Sequence, residues 1–336
     1  MRSDTAREES REPHGSSDDP DVVDFSANTN PEVPNGIEET YRAAFDDARR
    51  YPEEPPSAYR GTAAEYVGCA PEQVIPSPGG LAGIRLAIDL AVEDGDSVAV
   101  PFPSFGEYAR EVRLQGGEPS FVPHDEILDV DPSGHALAVV CTPNNPTGTG
   151  YDRDALAALA ERCRAADTTL LVDEAFLGFT DRPSVAGVDG VVVARSLTKL
   201  FGLPGIRAGF LAATGPHREA LANARRTWNV GTPALAVGAD CMTRTGFVER
   251  TRERVGRERE RMRGALSTRF DVADSEAPFL LLDVGERDPA AVVAHARERG
   301  LAIRDATTFR GLDSHVRVAV RRPAENDRLL EVLADA

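Results

Sequence analysis

Runs of branched apolar residues recur along the middle of the chain, each closed by turn-forming residues and followed by a helical pattern. Val74-Ile-Pro-Ser77 passes through Gly79-Gly80 into an amphipathic stretch that begins at Leu81. Ser97–Pro101, Ala136–Cys141, Thr169–Asp173, Val191–Ala194 and Ala208–Ala212 read as further strands, with a helix over Asp152–Ala166. Unbroken apolar runs, without strict alternation, mark strands covered on both faces, and strand–helix alternation predicts a largely parallel sheet. Upstream, Ile37 to about Arg49 reads as a helix, and Arg50-Tyr51-Pro52 breaks it. From Thr232 the chain turns helical, with a long charged helix near Val248–Arg269. Pro278–Asp283, a helix near Pro289–Arg299 and Val316–Val320 then suit a small α+β unit. The expected organisation is an acidic disordered tail over 1–21, an arm over 22–50, a large domain over 51–231 and a small C-terminal domain over 232–336. No internal repeat interrupts this plan.

Composition narrows the function more than the fold. At 336 residues the chain holds one large domain or two smaller ones. A formal net charge of −17 argues against nucleic acid or an anionic membrane as the main partner. No stretch has the length of a membrane span, and residues 1–21 lack the apolar segment of a secretory signal, so the expected location is the cytoplasm. Acid excess with almost no lysine suggests a high-salt cytoplasm, where repulsion between surface carboxylates is screened. Cys69, Cys141, Cys163 and Cys241 are widely spaced, and the six histidines are scattered, so neither a disulfide framework nor a metal site is expected.

Of 38 basic residues, Lys199 alone is lysine. Arginine stays protonated, whereas a desolvated lysine can shed its proton and attack a carbonyl, which is Schiff-base chemistry. Arg207 follows eight residues later, with a planar fork suited to a phosphate dianion. Gly79-Gly80-Leu81 at a helix start can bring backbone N–H groups against an anion. Asp173 ends a buried-strand pattern, the position from which a parallel sheet presents an active-site carboxylate. Tyr108, the third aromatic in Phe102–Tyr108, can lie flat on a planar ligand. A lysine for an aldehyde, a carboxylate for a pyridinium nitrogen, an aromatic face and phosphate donors together answer to pyridoxal 5'-phosphate.

In Asn144-Asn-Pro-Thr-Gly148, Asp173-Glu-Ala-Phe176 and Ser196-Leu-Thr-Lys199 through Arg207, the chain resembles the fold-type-I pyridoxal-phosphate enzymes of the class I/II aminotransferase family. The resemblance spans roughly residues 22–335. It implies an α/β fold: a large domain with a mostly parallel sheet and helices on both faces, plus a smaller C-terminal α+β domain. It makes Lys199 and Asp173 catalytic, the first as the cofactor-bonding lysine and proton carrier, the second as partner of the ring nitrogen. Asn145 would bond the phenolate oxygen and Tyr108 would stack on the ring. Gly80, Leu81, Ser196, Thr198 and Arg207 would surround the phosphate, which Tyr51 would reach from a neighbouring subunit of a homodimer. Arg317 would grip the substrate carboxylate, with Asn28 and Arg321 as further substrate contacts and Arg304 as another candidate for a substrate phosphate.

Two subfamilies compete: histidinol-phosphate aminotransferase and the threonine-phosphate decarboxylase of cobalamin side-chain synthesis. Asp24-Phe-Ser-Ala-Asn-Thr-Asn-Pro31, Arg50-Tyr-Pro52, Phe176 and Val316–Arg321 look more like the decarboxylase. The aminotransferase usually carries Tyr where Phe176 stands. Three features depart from the pattern: Ala82 lacks the acid often found there, Asn30-Pro-Glu-Val-Pro34 replaces a glycine-containing turn, and aromatics are few.

Overall fold

The computed structural model describes residues 9–336. A short strand β1 (Val23–Asp24) is followed by helices α1 (Ile37–Asp47) and α2 (Ser57–Val67). The central unit then runs β2 (Val74–Ser77), α3 (Gly80–Ala91), β3 (Ser97–Phe102), α4 (Glu107–Gln115), β4 (Glu118–Pro123), β5 (Leu137–Cys141), α5 (Arg153–Ala165), β6 (Thr169–Asp173), β7 (Val191–Ser196) and β8 (Gly209–Ala213). Helices α6 (Gly215–Ala224), α7 (Thr232–Thr243) and α8 (Thr245–Leu266) lead into β9 (Asp271–Val272) and β10 (Phe279–Asp283). The chain finishes with α9 (Pro289–Glu298), β11 (Leu301–Ala302), β12 (Arg304–Asp305), β13 (His315–Ala319) and α10 (Pro323–Ala334).

Seven strands form one sheet in the order β2-β8-β7-β6-β5-β3-β4, parallel except where β8 runs against β2 and β7. The pleat sorts the apolar runs between two cores. Leu137, Val139, Leu171, Val192 and Leu211 face one side with residues of α3 and α4. Val140, Leu170, Val172, Val193 and Phe210 face the other, with α2, α5, α7 and α8. Both faces are therefore dry, which is why these strands read as solid apolar runs. Asp173 shares the parity of Leu171 and thus lies on the α4 side. The smaller sheet has the order β12-β13-β10-β9, antiparallel throughout.

The structure departs from the sequence expectation at the N-terminus. Residues 1–8 of the expected tail lie outside the described residues, but 9–21 are packed against the protein. Arg110 donates to the Ser10 carbonyl at 2.9 Å, Arg304 to the Pro13 carbonyl at 2.7 Å, and Arg297 to the Ser17 hydroxyl at 2.9 Å. The arm beyond it joins the C-terminal unit: β1 pairs in parallel with β11, and Ala319 donates to the Phe25 carbonyl at 2.8 Å. Its other end is tied to the lysine loop, where Asn30 donates its backbone N–H to the Lys199 carbonyl and its side chain to that of Leu200. Helix α7, expected in the small domain, packs on α1 and α2. Among the described residues no helix is long and apolar enough to cross a membrane.

Candidate active site

The parallel strands all deliver their carboxyl ends to one edge, and that edge carries the chemistry. β5 leads into the Thr142–Gly148 turn, β6 ends on Asp173, and β7 runs through Ser196 to Lys199. β8 starts at the same edge because it runs antiparallel, which sets Arg207 beside the first turn of α3. A cavity of about 320 Å³ opens between this edge and β12–β13.

Among its walls are Gly80, Leu81, Tyr108, Asn145 and Asp173, then Ser196, Thr198, Lys199, Arg207 and Arg317, with Asn28 from the arm. With Arg304 included, twelve of the fourteen site residues singled out from sequence thus share one cavity. Two do not. Tyr51 lies outside the lining; it is 76% exposed and stacks on Trp228 with ring centroids 4.2 Å apart. Arg321, expected at the substrate, also falls outside, because its guanidinium donates to the Asp24 carbonyl at 2.8 Å and pairs with Glu325 at 3.1 Å. Arg304 stands in the cavity instead, together with Glu12, Pro13, His14 and Gly15 of the N-terminal segment. Nothing in the chain pattern announced these four, since a polar stretch carries no periodicity.

Lys199 is buried, and loss of hydration disfavours its charge; Arg317 and Arg207 add repulsion, so the amine is lowered to about 8. Asp173 is almost fully buried. Burial raises its pKa, opposed by a 2.6 Å bond from the Tyr108 hydroxyl and a 2.9 Å bond from the Ala175 N–H. Arg317 is buried as well, donates to Asn145 Oδ1 and, at 2.8 Å, to the Ser26 carbonyl, and its charge is disfavoured first by burial and then by Arg304. Asn28 Oδ1 is buried in the lining with no protein donor among the described residues. A ligand N–H would satisfy it.

Close backbone approach makes the anion corner. Gly79 has φ +89°, and a Cβ there would collide with Arg207 Nη2. Arg207 itself holds the left-handed conformation at φ 57°, a strain that places its guanidinium against the α3 terminus. Gly79→Ala is expected to cost about 1–3 kcal/mol of stability and to weaken binding of a phosphate-bearing ligand. Thermal melting and ligand titration of the variant would check this, and an unchanged affinity would remove Gly79 from the corner.

Residues 20–333 match the family described as aminotransferase class I and II. The chain belongs to that family. Histidinol-phosphate aminotransferase 2 of Archaeoglobus fulgidus is 30% identical over 94% of each chain. A provisionally named threonine-phosphate decarboxylase of Caldanaerobacter subterraneus subsp. tengcongensis is 33% identical, over 85% of this chain and 83% of its own. In fold, the chain superposes on L-threonine-O-3-phosphate decarboxylase from Porphyromonas gingivalis with a TM-score of 0.84, at 24% identity, covering 94% of this chain and 99% of that one. Members of the family are pyridoxal-phosphate-dependent enzymes, and this chain is one of them. The residues present fit the cofactor: a buried amine of lowered pKa, a buried carboxylate, and an arginine with a glycine-lined helix start.

Proposed function

We propose that this enzyme decarboxylates L-threonine O-3-phosphate to 1-amino-2-propanol O-2-phosphate, a step of cobalamin side-chain synthesis. The observation that carries the reading is the register of β12 on β13, which sets Arg304 directly opposite Arg317, both lining the cavity. Like charges directly opposed across a ladder are unfavourable unless something negative lies between them. L-Threonine O-phosphate supplies two such charges in one substrate; histidinol phosphate supplies one anionic group, and in transamination only the dicarboxylate co-substrate would supply two. His14 stands on the same wall, its Nε2 3.2 Å from the Glu107 carboxylate.

In this reading Arg317 holds the α-carboxylate and Arg304, with His14, holds the substrate phosphate. Asn28 Oδ1 accepts from the substrate amine. Gly80, Leu81, Ser196, Thr198 and Arg207 bind the cofactor phosphate, and Tyr108 and Asn145 flank its ring. Bound there, pyridoxal phosphate would supply an electron sink conjugated to the substrate α-carbon through the substrate nitrogen. Asp173 holds a proton at the ring nitrogen, and Lys199 Nζ returns one to the α-carbon after CO₂ leaves. Phe176, edge-on to Phe279 at 5.2 Å, brings no hydroxyl to the phenolate side. We further propose a homodimer in which the exposed Tyr51 reaches the second copy's cofactor phosphate, and a cytoplasmic, high-salt setting that screens the net charge of −17.

Transamination is the second reading, favoured by the Archaeoglobus relative. It uses the same groups, with Lys199 as base at the α-carbon. Cofactor-loaded protein in high salt, given L-threonine O-phosphate or L-histidinol phosphate plus 2-oxoglutarate, separates the two. CO₂ without glutamate is the expected result; glutamate without CO₂ would overturn the decarboxylase reading.

A further inference from the structure

Tyr108 does more in this structure than present a ring. The side chain is fully buried, its face set edge-on to Phe105 at 5.5 Å, and its hydroxyl donates to Asp173 Oδ2 at 2.6 Å. Asp173 Oδ1 accepts from the Ala175 N–H, so the phenol is the side-chain donor on the carboxylate. A phenylalanine would give the same flat surface and the same packing. The hydroxyl therefore needs a reason of its own, and its partner is the group that faces the cofactor's ring nitrogen.

We propose that the Tyr108 hydroxyl, by donating to Asp173, keeps the proton shared between Asp173 and the cofactor on the ring nitrogen. Asp173 and the ring nitrogen compete for one proton inside a dry site. A carboxylate and a pyridine nitrogen joined by one proton exist either as an ion pair or as a neutral pair, and low dielectric favours the neutral one. Burial acts in that direction on Asp173. Each donor to the carboxylate stabilises its charged form and pulls the balance back toward the protonated ring. Tyr108 from α4 supplies such a bond, and the backbone after β6 supplies the other. The other ionisable groups around Asp173 are Arg195 on β7 and Lys199 beyond it, which favour its charge, the buried carboxyl of Glu174 next in the chain, which opposes it and is itself paired with Arg195, and the thiol of Cys141 on β5, beside both Asp173 and Tyr108. The inference rests on family membership and its cofactor and is independent of which reaction follows.

The test uses cofactor alone, with no substrate. Tyr108→Phe keeps the ring and removes the hydroxyl; Tyr108→Leu removes both. Each apo-protein is titrated with pyridoxal phosphate, and the near-visible absorbance band of the loaded protein is followed against pH. A ring nitrogen without its proton no longer repels the proton on the nitrogen that joins Lys199 to the cofactor. Tyr108→Phe is therefore expected to move the band's midpoint to higher pH and to weaken cofactor binding about tenfold or more, in line with loss of one bond to a charged group. Its apo-protein should melt close to the parent. An unchanged midpoint and affinity in Tyr108→Phe would overturn the proposal. So would a Phe variant that loses affinity and melting temperature as much as the Leu variant does while keeping the midpoint, since that pattern belongs to packing.

Discussion

Lys199→Ala is expected to give a folded protein that shows no cofactor absorbance shifted by a lysine bond and turns over its substrate at least about 10³-fold more slowly, whichever reaction is assayed. The chain has no other lysine to substitute for it. Circular dichroism and melting would show the fold kept, because the side chain sits on the cavity wall. Substrate-independent evidence comes from pH. Burial and the repulsion of Arg317 and Arg207 lower the amine to about 8. Below that value the amine is protonated and cannot attack the cofactor aldehyde. The rate of cofactor uptake by wild-type apo-protein should therefore climb from pH 7 through 8 and level off above it. Stopped-flow absorbance would measure this, and a rise centred near 10, the range of an ordinary lysine, would show the amine to be solvated.

The second large effect is expected at the paired arginines. Arg317→Ala should lower kcat/KM by about 10²–10³, the usual consequence of removing one partner from a buried charge pair. Arg304→Ala should act more narrowly. It should raise KM for L-threonine O-phosphate by about 10–100-fold, the worth of bonds to a charged group, while leaving the weak binding of unphosphorylated L-threonine unaltered. Measuring both substrates on both variants separates the roles. If Arg304→Ala weakened the two equally, it would be a structural support for β13 and not a phosphate ligand.

The cofactor half of this site was readable before any coordinates, and the substrate half much less so. Lys199, Asp173 and Gly79-Gly80 sit where regular elements end, and the apolar runs that precede them announce those ends. Arg304 and Arg317 are different. Their opposition depends on a two-residue strand, β12, too short for any pattern to reveal. Arg321 looked equivalent to them by sequence, yet Glu325 one helical turn on and the Asp24 carbonyl claim its guanidinium. The N-terminal segment misled for a related reason. It is held by arginine side chains bonded to its backbone carbonyls, as at Ser10 and Pro13, and such contacts leave its own sequence free to look like a solvated tail. Tyr108 was legible as an aromatic but not as a donor, because its acceptor lies 65 residues away.

The wall formed by residues 12–15 also sets an order of events during synthesis. Ser17 and Arg297, which fasten that segment, stand 280 residues apart. At ordinary ribosomal speed the first waits roughly 15–60 s for the second to be made. Through that interval the nascent chain can form its central sheet, and the lysine loop with it, but cannot close the cavity. Closure of the cavity is thus reserved for a nearly finished polypeptide, and a chain cut short before α9 lacks Arg297 and Arg304, which fasten its own N-terminus, as well as Arg317.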